Sequence, residues 1–198
     1  MLTPDDKDRA ELLNVLNSRS SRLVALVDDI LALARLEKTE AEHDAAFAPC
    51  DVADIAQTAV NLARPAAKKA DDTLSFVRKT QETEALVRPC DARLVESAVA
   101  NLIQNALRYN GSKEVEVCVE RTSSGKAAIR VIDHGIGIAE DCQPRLFERF
   151  YRIDKDRSRS LGGTGLGLAI VKHIAQLHGG QATVSSRPGE GATFTLVI

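Results

Sequence analysis

Gly162-Gly163-Thr164-Gly165-Leu166-Gly167-Leu168 runs straight into the helical pattern Ala169-Ile170-Val171-Lys172-His173-Ile174-Ala175-Gln176-Leu177-His178. Four glycines in six residues ahead of a helix leave unpaired backbone N–H groups at a positive dipole end, where phosphate oxygens can sit. The stretch lacks the Lys-Ser/Thr ending of a Walker loop, and a Gly-rich turn before a helix also serves tight packing. Phosphate binding and packing therefore both stay open on this segment alone.

The 198 residues suffice for one domain, or one domain with an appendage, with a real core. A net charge of −2 and an isoelectric point near 6.1 offer no basic excess for wholesale nucleic-acid binding. Cys50, Cys90, Cys118 and Cys142 lie far apart without a C-x-x-C pair, which fits reduced, buried thiols better than zinc or disulfides. No apolar run approaches the roughly 18 residues of a membrane span and no signal-peptide layout is present, so a soluble chain is expected.

Thr3-Pro4-Asp5-Asp6 reads as a helix start, with proline at the first helical position and acids in the first turn. Leu12, Leu16, Leu23, Val27 with Leu26, Ile30 and Ala34 with Leu33 then follow a three-to-four spacing. The helix would be roughly 50 Å long, with the period of a bundle seam. Such a length would outrun an ordinary domain, which favours a partner helix over the following domain as its cover. A polar connector lies between Glu37 and Ala46, and its His43 is read as solvated.

Phe47 to Cys50 suggests an edge strand, and Asp51 caps a helix that Pro65 would kink or end. Strands are expected at Thr73 to Val77 and Ala85 to Val87. From Asp91 to Tyr109, Val95, Val99, Leu102 and Ala106 form one apolar stripe, and Leu94, Ala98, Asn101, Asn105 and Arg108 a second one beside it. Two asparagines mid-helix carry a cost, since the amide competes for backbone bonds. They bond either to a neighbouring loop or, as hard oxygen donors, to a cation near a nucleotide. Asn110-Gly111 reads as a C-cap and turn.

Val115 to Glu120 alternates strictly and Ala127 to Ile132 returns, a hairpin with one buried face. Asp133-His134-Gly135-Ile136-Gly137-Ile138 follows: a carboxylate that can accept from the exocyclic amine of adenine, with Ile136 and Ile138 against the base. An Asp-Gly turn would look much the same. Glu140 to Phe150 suggests a short helix with Leu146, Phe147 and Phe150 on one side. The charged segment Tyr151 to Ser160 has the look of a lid whose Arg152, Lys155, Arg157 and Arg159 could meet a triphosphate, although for any one of these residues a solvated loop of balanced charges is the better reading. Gln181 to Ser186 and Ala192 to Ile198 form a second hairpin, with His173 and His178 at helix surface and helix end.

Asn101-Leu102-Ile103-Gln104-Asn105-Ala106, Asp133-His134-Gly135-Ile136-Gly137, Phe147-Glu148-Arg149-Phe150-Tyr151-Arg152 and Gly163-Thr164-Gly165-Leu166-Gly167-Leu168 resemble four boxes of the two-component sensor histidine kinases. They correspond in order to the N box, first glycine box, F box and second glycine box. Leu23 to Glu37 is similar to the second helix of that family's dimerisation and phosphotransfer hairpin. The resemblance implies an α+β fold: a Bergerat-type two-layer α/β sandwich, its mixed sheet backed by helices, preceded by one long bundle-type helix. Residues 1–44 would be the second hairpin helix with its linker, and residues 45–198 the ATP-binding catalytic domain.

By the same resemblance the cofactors are ATP and Mg²⁺. Asn105 would coordinate the metal, Asn101 assist at the phosphates, Arg108 contact phosphate, Tyr109 the base, and Asp133 the adenine amine. Gly135, Gly137, Gly163, Gly165 and Gly167 would supply hinges and backbone donors, with Thr164 and Leu166 in the same nucleotide-binding stretch. Ile138 would line the base, and Phe147 and Arg152 would form a moving wall. The implied chemistry is phosphoryl transfer to a histidine, with Asn101, Asn105 and Arg108 as the catalytic set.

The family's acceptor histidine belongs to the first hairpin helix, and none of His43, His134, His173 or His178 stands in its motif. The expectation is a truncated kinase that transfers phosphate in trans at most. Expected partners are a second copy through residues 12–34, a histidine-bearing hairpin of a kinase, and a response regulator. A cytoplasmic location is expected, the parent protein being anchored in the inner membrane by a missing region. The alternative is a non-catalytic nucleotide-binding module acting on a full-length kinase or response regulator. An anti-sigma-type serine kinase is disfavoured by the long helix and the F box.

Overall fold

The computed structural model of the chain describes residues 4–42, 47–69, 72–78, 85–110, 114–153 and 163–198. Helix α1 (Pro4–Glu42) opens on the expected proline and runs 39 residues, past Glu37 where the connector was expected to start. Strand β1 (Ala48–Asp51) leads into α2 (Val52–Lys69), whose first turn is capped by Asp51 Oδ1 accepting from the Ala53 N–H at 2.9 Å. Pro65 neither ends this helix nor is buried; α2 continues to Lys69, with Pro65 on its exposed side.

Strand β2 (Thr73–Arg78) is followed by β3 (Val87–Cys90), α3 (Ala92–Tyr109), β4 (Glu114–Arg121) and β5 (Ala127–Asp133). The strand expected at Ala85 to Val87 thus begins only at Val87, where it pairs antiparallel with β1. After a short 3₁₀ helix at Glu140–Arg145 come α4 (Gly167–Leu177), β6 (Gln181–Ser186) and β7 (Ala192–Val197). The five-stranded sheet has the order β2-β4-β5-β7-β6, parallel between β2 and β4 and antiparallel elsewhere. Helices α2, α3 and α4 pack side by side over it. This is the mixed sheet backed by helices that the family resemblance implied.

Register explains how a polar site meets this core. Because side chains alternate along a strand, the rows Phe76, Val117, Val131, Phe194, Val184 and Leu74, Val115, Asp133, Ala192, Ser186 cross the sheet on the helix-covered face. Asp133 is therefore a carboxylate in a core row at the end of β5. The opposite face is not fully open as the hairpin reading expected: Cys118 and Ala128 are buried there too. The Cys118 thiol donates to Glu116 Oε1 at 2.6 Å, and Arg130 pairs with Glu120 at 2.6 Å.

His178 fastens the helical layer. Its Nε2 accepts from the Asp91 N–H at 3.1 Å, its Nδ1 lies 2.7 Å from the Ile174 carbonyl, and its ring stacks on Phe47 at 4.8 Å. One nitrogen donating and one accepting is the pattern of a neutral imidazole, and burial pushes its pKa down. All four cysteines are free, and burial beside Cys50 pushes the Cys90 thiol up to about 12, as inert buried thiols require.

The seam of α1 divides. Leu33 and Leu36 are buried, and α1 packs against α4. Leu12, Leu16, Leu23, Val27 and Ile30 are exposed, as is Ala34, which the seam was expected to include. Among the described residues no helix is long and apolar enough to cross a membrane.

Asp91 caps α3 by accepting from the Arg93 and Leu94 N–H groups at 2.9 and 3.2 Å. The Asp91→Ala variant should lose about 1 kcal/mol of stability, read as a lower urea midpoint at unchanged slope. An unaltered midpoint would remove the cap from the account.

Candidate functional site

Helix α3 buries Val95, Val99, Leu102, Ile103 and Ala106 against the sheet, which leaves Asn101, Asn105, Arg108 and Tyr109 half-buried on its flank. All four open on a cavity of about 430 Å³. The α3 flank faces the Gly-rich loop at van der Waals distance. A Cβ at Gly163 would lie 3.0 Å from the Arg108 guanidinium, and one at Gly167 would lie 3.1 Å from Asn101 Oδ1. The glycines that suggested phosphate binding are thus packing glycines as well: the close approach that the packing reading expected is present, and the phosphate reading is compatible with it.

Asp133 closes the floor of the cavity and is 5 % exposed. Its Oδ1 accepts from the Gly135 N–H at 2.9 Å. Burial pushes its carboxyl pKa up, opposed by the N–H groups of Gly135 and Ala192 and by His134. Beside it Gly137 has φ +68, and a Cβ there would meet the Arg187 carbonyl at 1.9 Å. Only glycine meets both conditions. Ile138 is pinned at the cavity wall: its N–H donates to Ser186 Oγ at 2.9 Å, and Gln143 Nε2 donates to the carbonyls of Ile138 at 3.1 Å and Ser186 at 2.9 Å.

Arg152, Thr164 and Gly165 complete the expected lining. Gly135, Phe147 and Leu166 do not line the cavity; Gly135 and Leu166 are buried behind it, and Phe147 is half-buried against the core. The helix expected over Glu140 to Phe150 is a 3₁₀ turn ending at Arg145, and Phe150 leaves the apolar side to stand 60 % exposed. Its φ of +62 is costly for a large residue, and its N–H donates to the Gly165 carbonyl at 2.9 Å. Lys155, Arg157 and Arg159 lie outside the described residues, as do His43, Gly111 and Gly162.

Three contributors carried no sequence signal. Asp29 of α1 lines the cavity and accepts from Thr164 Oγ1 at 2.6 Å, and Glu37 pairs with Arg149. Both contacts are long-range, so no local pattern announces them. Asn110, read as a cap, is fully buried with αR dihedrals. It donates to Asp72 Oδ1 at 3.1 Å and accepts from the His134 N–H at 3.4 Å.

Asn101 and Asn105 offer neutral, hard oxygen donors that suit a divalent cation arriving with phosphate oxygens. Among the described residues no cluster of three or more His, Cys, Asp or Glu could hold a metal by itself.

Because the folded-state pKa of Asp133 lies above its unfolded value, the ionised carboxylate costs stability at neutral pH, and that cost is relieved as pH falls toward about 4. The melting temperature of the protein relative to its Asp133→Asn variant should therefore improve on acidification from pH 7 to pH 4. A difference that stays flat or moves the other way would refute the burial argument.

A profile of the family described as histidine kinase-, DNA gyrase B-, and HSP90-like ATPase matches residues 90–198. The chain is 41% identical over 181 residues to the sensor-like histidine kinase SenX3 of Mycolicibacterium smegmatis, covering 91% of this chain and 46% of that protein. It is 33% identical over 190 residues to the sensor protein kinase WalK of Staphylococcus saprophyticus, covering 95% and 30%. Among solved structures, full-length ShkA in complex with AMPPNP superposes with a TM-score of 0.74 at 25% identity, over 100% of this chain and 39% of that one. The chain spans less than half the length of these relatives.

Proposed function

The chain belongs to the histidine kinase-, DNA gyrase B-, and HSP90-like ATPase family and carries the ATP-binding catalytic region of a sensor histidine kinase, and from that premise we propose that its cavity holds ATP with Mg²⁺ for phosphoryl transfer to a histidine supplied on another segment or chain. The observation that carries the reading is convergence. Asn101, Asn105 and Arg108 from α3, Asp133 from β5 and Gly163, Thr164 and Gly165 ahead of α4 all open on one cavity.

The lining of that cavity carries two kinds of chemistry. Asp133, as an ionised acceptor in an apolar row, suits the adenine amine, with Ile138 and Tyr109 against the base. Arg108 and the N-terminus of α4 supply positive charge for phosphate oxygens, and the amide oxygen of Asn105 suits the metal. Bound Mg²⁺ would neutralise phosphate charge. The protein's own part is to orient the chain of phosphates and to exclude water, which is where most of the acceleration in phosphoryl transfer lies. Among the described residues no histidine lines the cavity, which supports an acceptor from elsewhere.

The exposed seam from Leu12 to Ile30 fits a second copy of the helix, and a response regulator is the downstream partner that sensor kinases imply. A cytoplasmic position follows from the need for ATP.

Calorimetric titration with ADP should give binding that Asp133→Asn weakens at least about tenfold, the scale of a lost hydrogen bond to a charged group. Its dependence on Mg²⁺ should vanish in Asn105→Ala. Given ATP and a separate histidine-bearing hairpin, the chain should leave acid-labile phosphate on the hairpin. Binding without transfer would favour the regulatory module, and absence of binding would overturn the nucleotide site. Light scattering should report dimers that Leu23→Glu dissociates; a monomer at high micromolar concentration would remove the seam from the proposal.

A further inference from the structure

Asn-Gly at the end of a helix ordinarily marks a left-handed cap, yet Asn110 has φ −57 and ψ −56 and no exposed surface. A buried amide is tolerated only when its donor and acceptor are both used. Here its Nδ2 donates to Asp72 Oδ1 at 3.1 Å and its Oδ1 accepts from the His134 N–H at 3.4 Å. A carboxylate accepts and a backbone N–H can only donate, so Asp72 and His134 agree on which end of the amide carries the hydrogens, and the amide bridges them.

His134 is the first residue past the sheet. The pairings of β5 with β4 and with β7 both end at Asp133, so the next N–H finds its acceptor in Asn110 rather than in the ladder. One residue further on, the backbone of α3 closes against the same turn. A Cβ at Gly135 would meet the Tyr109 carbonyl at 2.2 Å and the Asn110 carbonyl at 2.7 Å. The Gly135 N–H in turn donates to Asp133 Oδ1 at 2.9 Å. A continuous line of contacts thus runs from Asp72 through Asn110 and the His134-Gly135 turn to one oxygen of the Asp133 carboxylate.

We propose that Asn110, oriented by Asp72, is a positioning residue for base recognition: it fixes the His134-Gly135 turn and thereby the direction in which Asp133 presents its carboxylate to a purine amine. This deepens the nucleotide reading above and rests on it. The contribution is directional, so it shows in the discrimination between bases rather than in overall affinity. Inosine diphosphate carries a carbonyl where ADP carries the amine, and so cannot donate to Asp133 at that position.

Calorimetric titration of the full chain with ADP and with inosine diphosphate tests the assignment. The wild type should prefer ADP. Asn110→Ala should narrow that preference about fivefold to tenfold, the scale of one lost hydrogen bond, by weakening ADP while inosine diphosphate stays within about twofold. Asp72→Asn, of the same shape, should narrow it in the same direction because the charge-assisted hydrogen bond that helps hold the Asn110 amide against the turn is weakened. Equal weakening of both ligands, or an unchanged ratio, overturns the proposal and leaves Asn110 a structural residue. Should Asn110→Ala fail to melt cooperatively, the Asp72→Asn ratio decides alone, and an unchanged value there is equally fatal. A wild type that binds both ligands alike overturns the positioning role, whereas one that binds neither overturns the nucleotide reading itself.

Discussion

Helix α3 closes tightly on two glycine segments, and at Gly135 only a hydrogen atom fits between them. At Gly135 the obstruction is the pair of carbonyls that end the helix; at Gly163 and Gly167 it is the side chains of Arg108 and Asn101. The rest of the arrangement depends on this close approach. It sets the width of the cavity, because the same contacts that tie the helix to the loops bring the amides, the guanidinium and the backbone donors to one space. Interiors pack too densely to absorb an added methyl at several such points without movement.

The position of Asp133 shows what that arrangement costs. A strand row of Leu74, Val115, Ala192 and Ser186 is a place for apolar or small groups, and an ionised carboxylate there is penalised by its loss of water. The penalty is partly offset by backbone N–H groups from Gly135 and Ala192. What remains is an acceptor already stripped of water, whose further desolvation by a ligand adds little. A pocket built in this way would trade folding stability for the recognition proposed for Asp133.

Much of this was legible in the sequence because the informative residues violate local preference. Asparagines in the middle of a helix, a carboxylate ending an apolar strand and glycines entering a helix each need a tertiary reason, and here they share one. What escaped was either conservative in appearance or long-range. Asn110 satisfies a plausible local rule, so its burial against Asp72 was hidden behind it. Pro65 sits on an exposed face of α2, where tertiary packing of the opposite face outweighs the lost backbone bond. The segment after Glu140 has helical composition, yet the chain turns at Phe150 to meet Gly165, a contact made across the fold and not along it. The ties of α1 to the domain, Asp29 to Thr164 and Glu37 to Arg149, join residues more than a hundred positions apart.

Those two ties also make α1 a lever. They grip the helix near its C-terminal third, one at the loop ahead of α4 and one at the strained turn beside it, while its leucines as far away as Leu12 stand clear of the domain. From Asp29 to Leu12 a helix spans roughly 25 Å, so a tilt of about 5° at the grip sweeps the far end through about 2 Å. Such a tilt would leave Thr164 nearly where it is and shift the seam by a distance comparable with the radius of a methyl group, so the pairing of these leucines is sensitive to the angle at which the domain holds the helix.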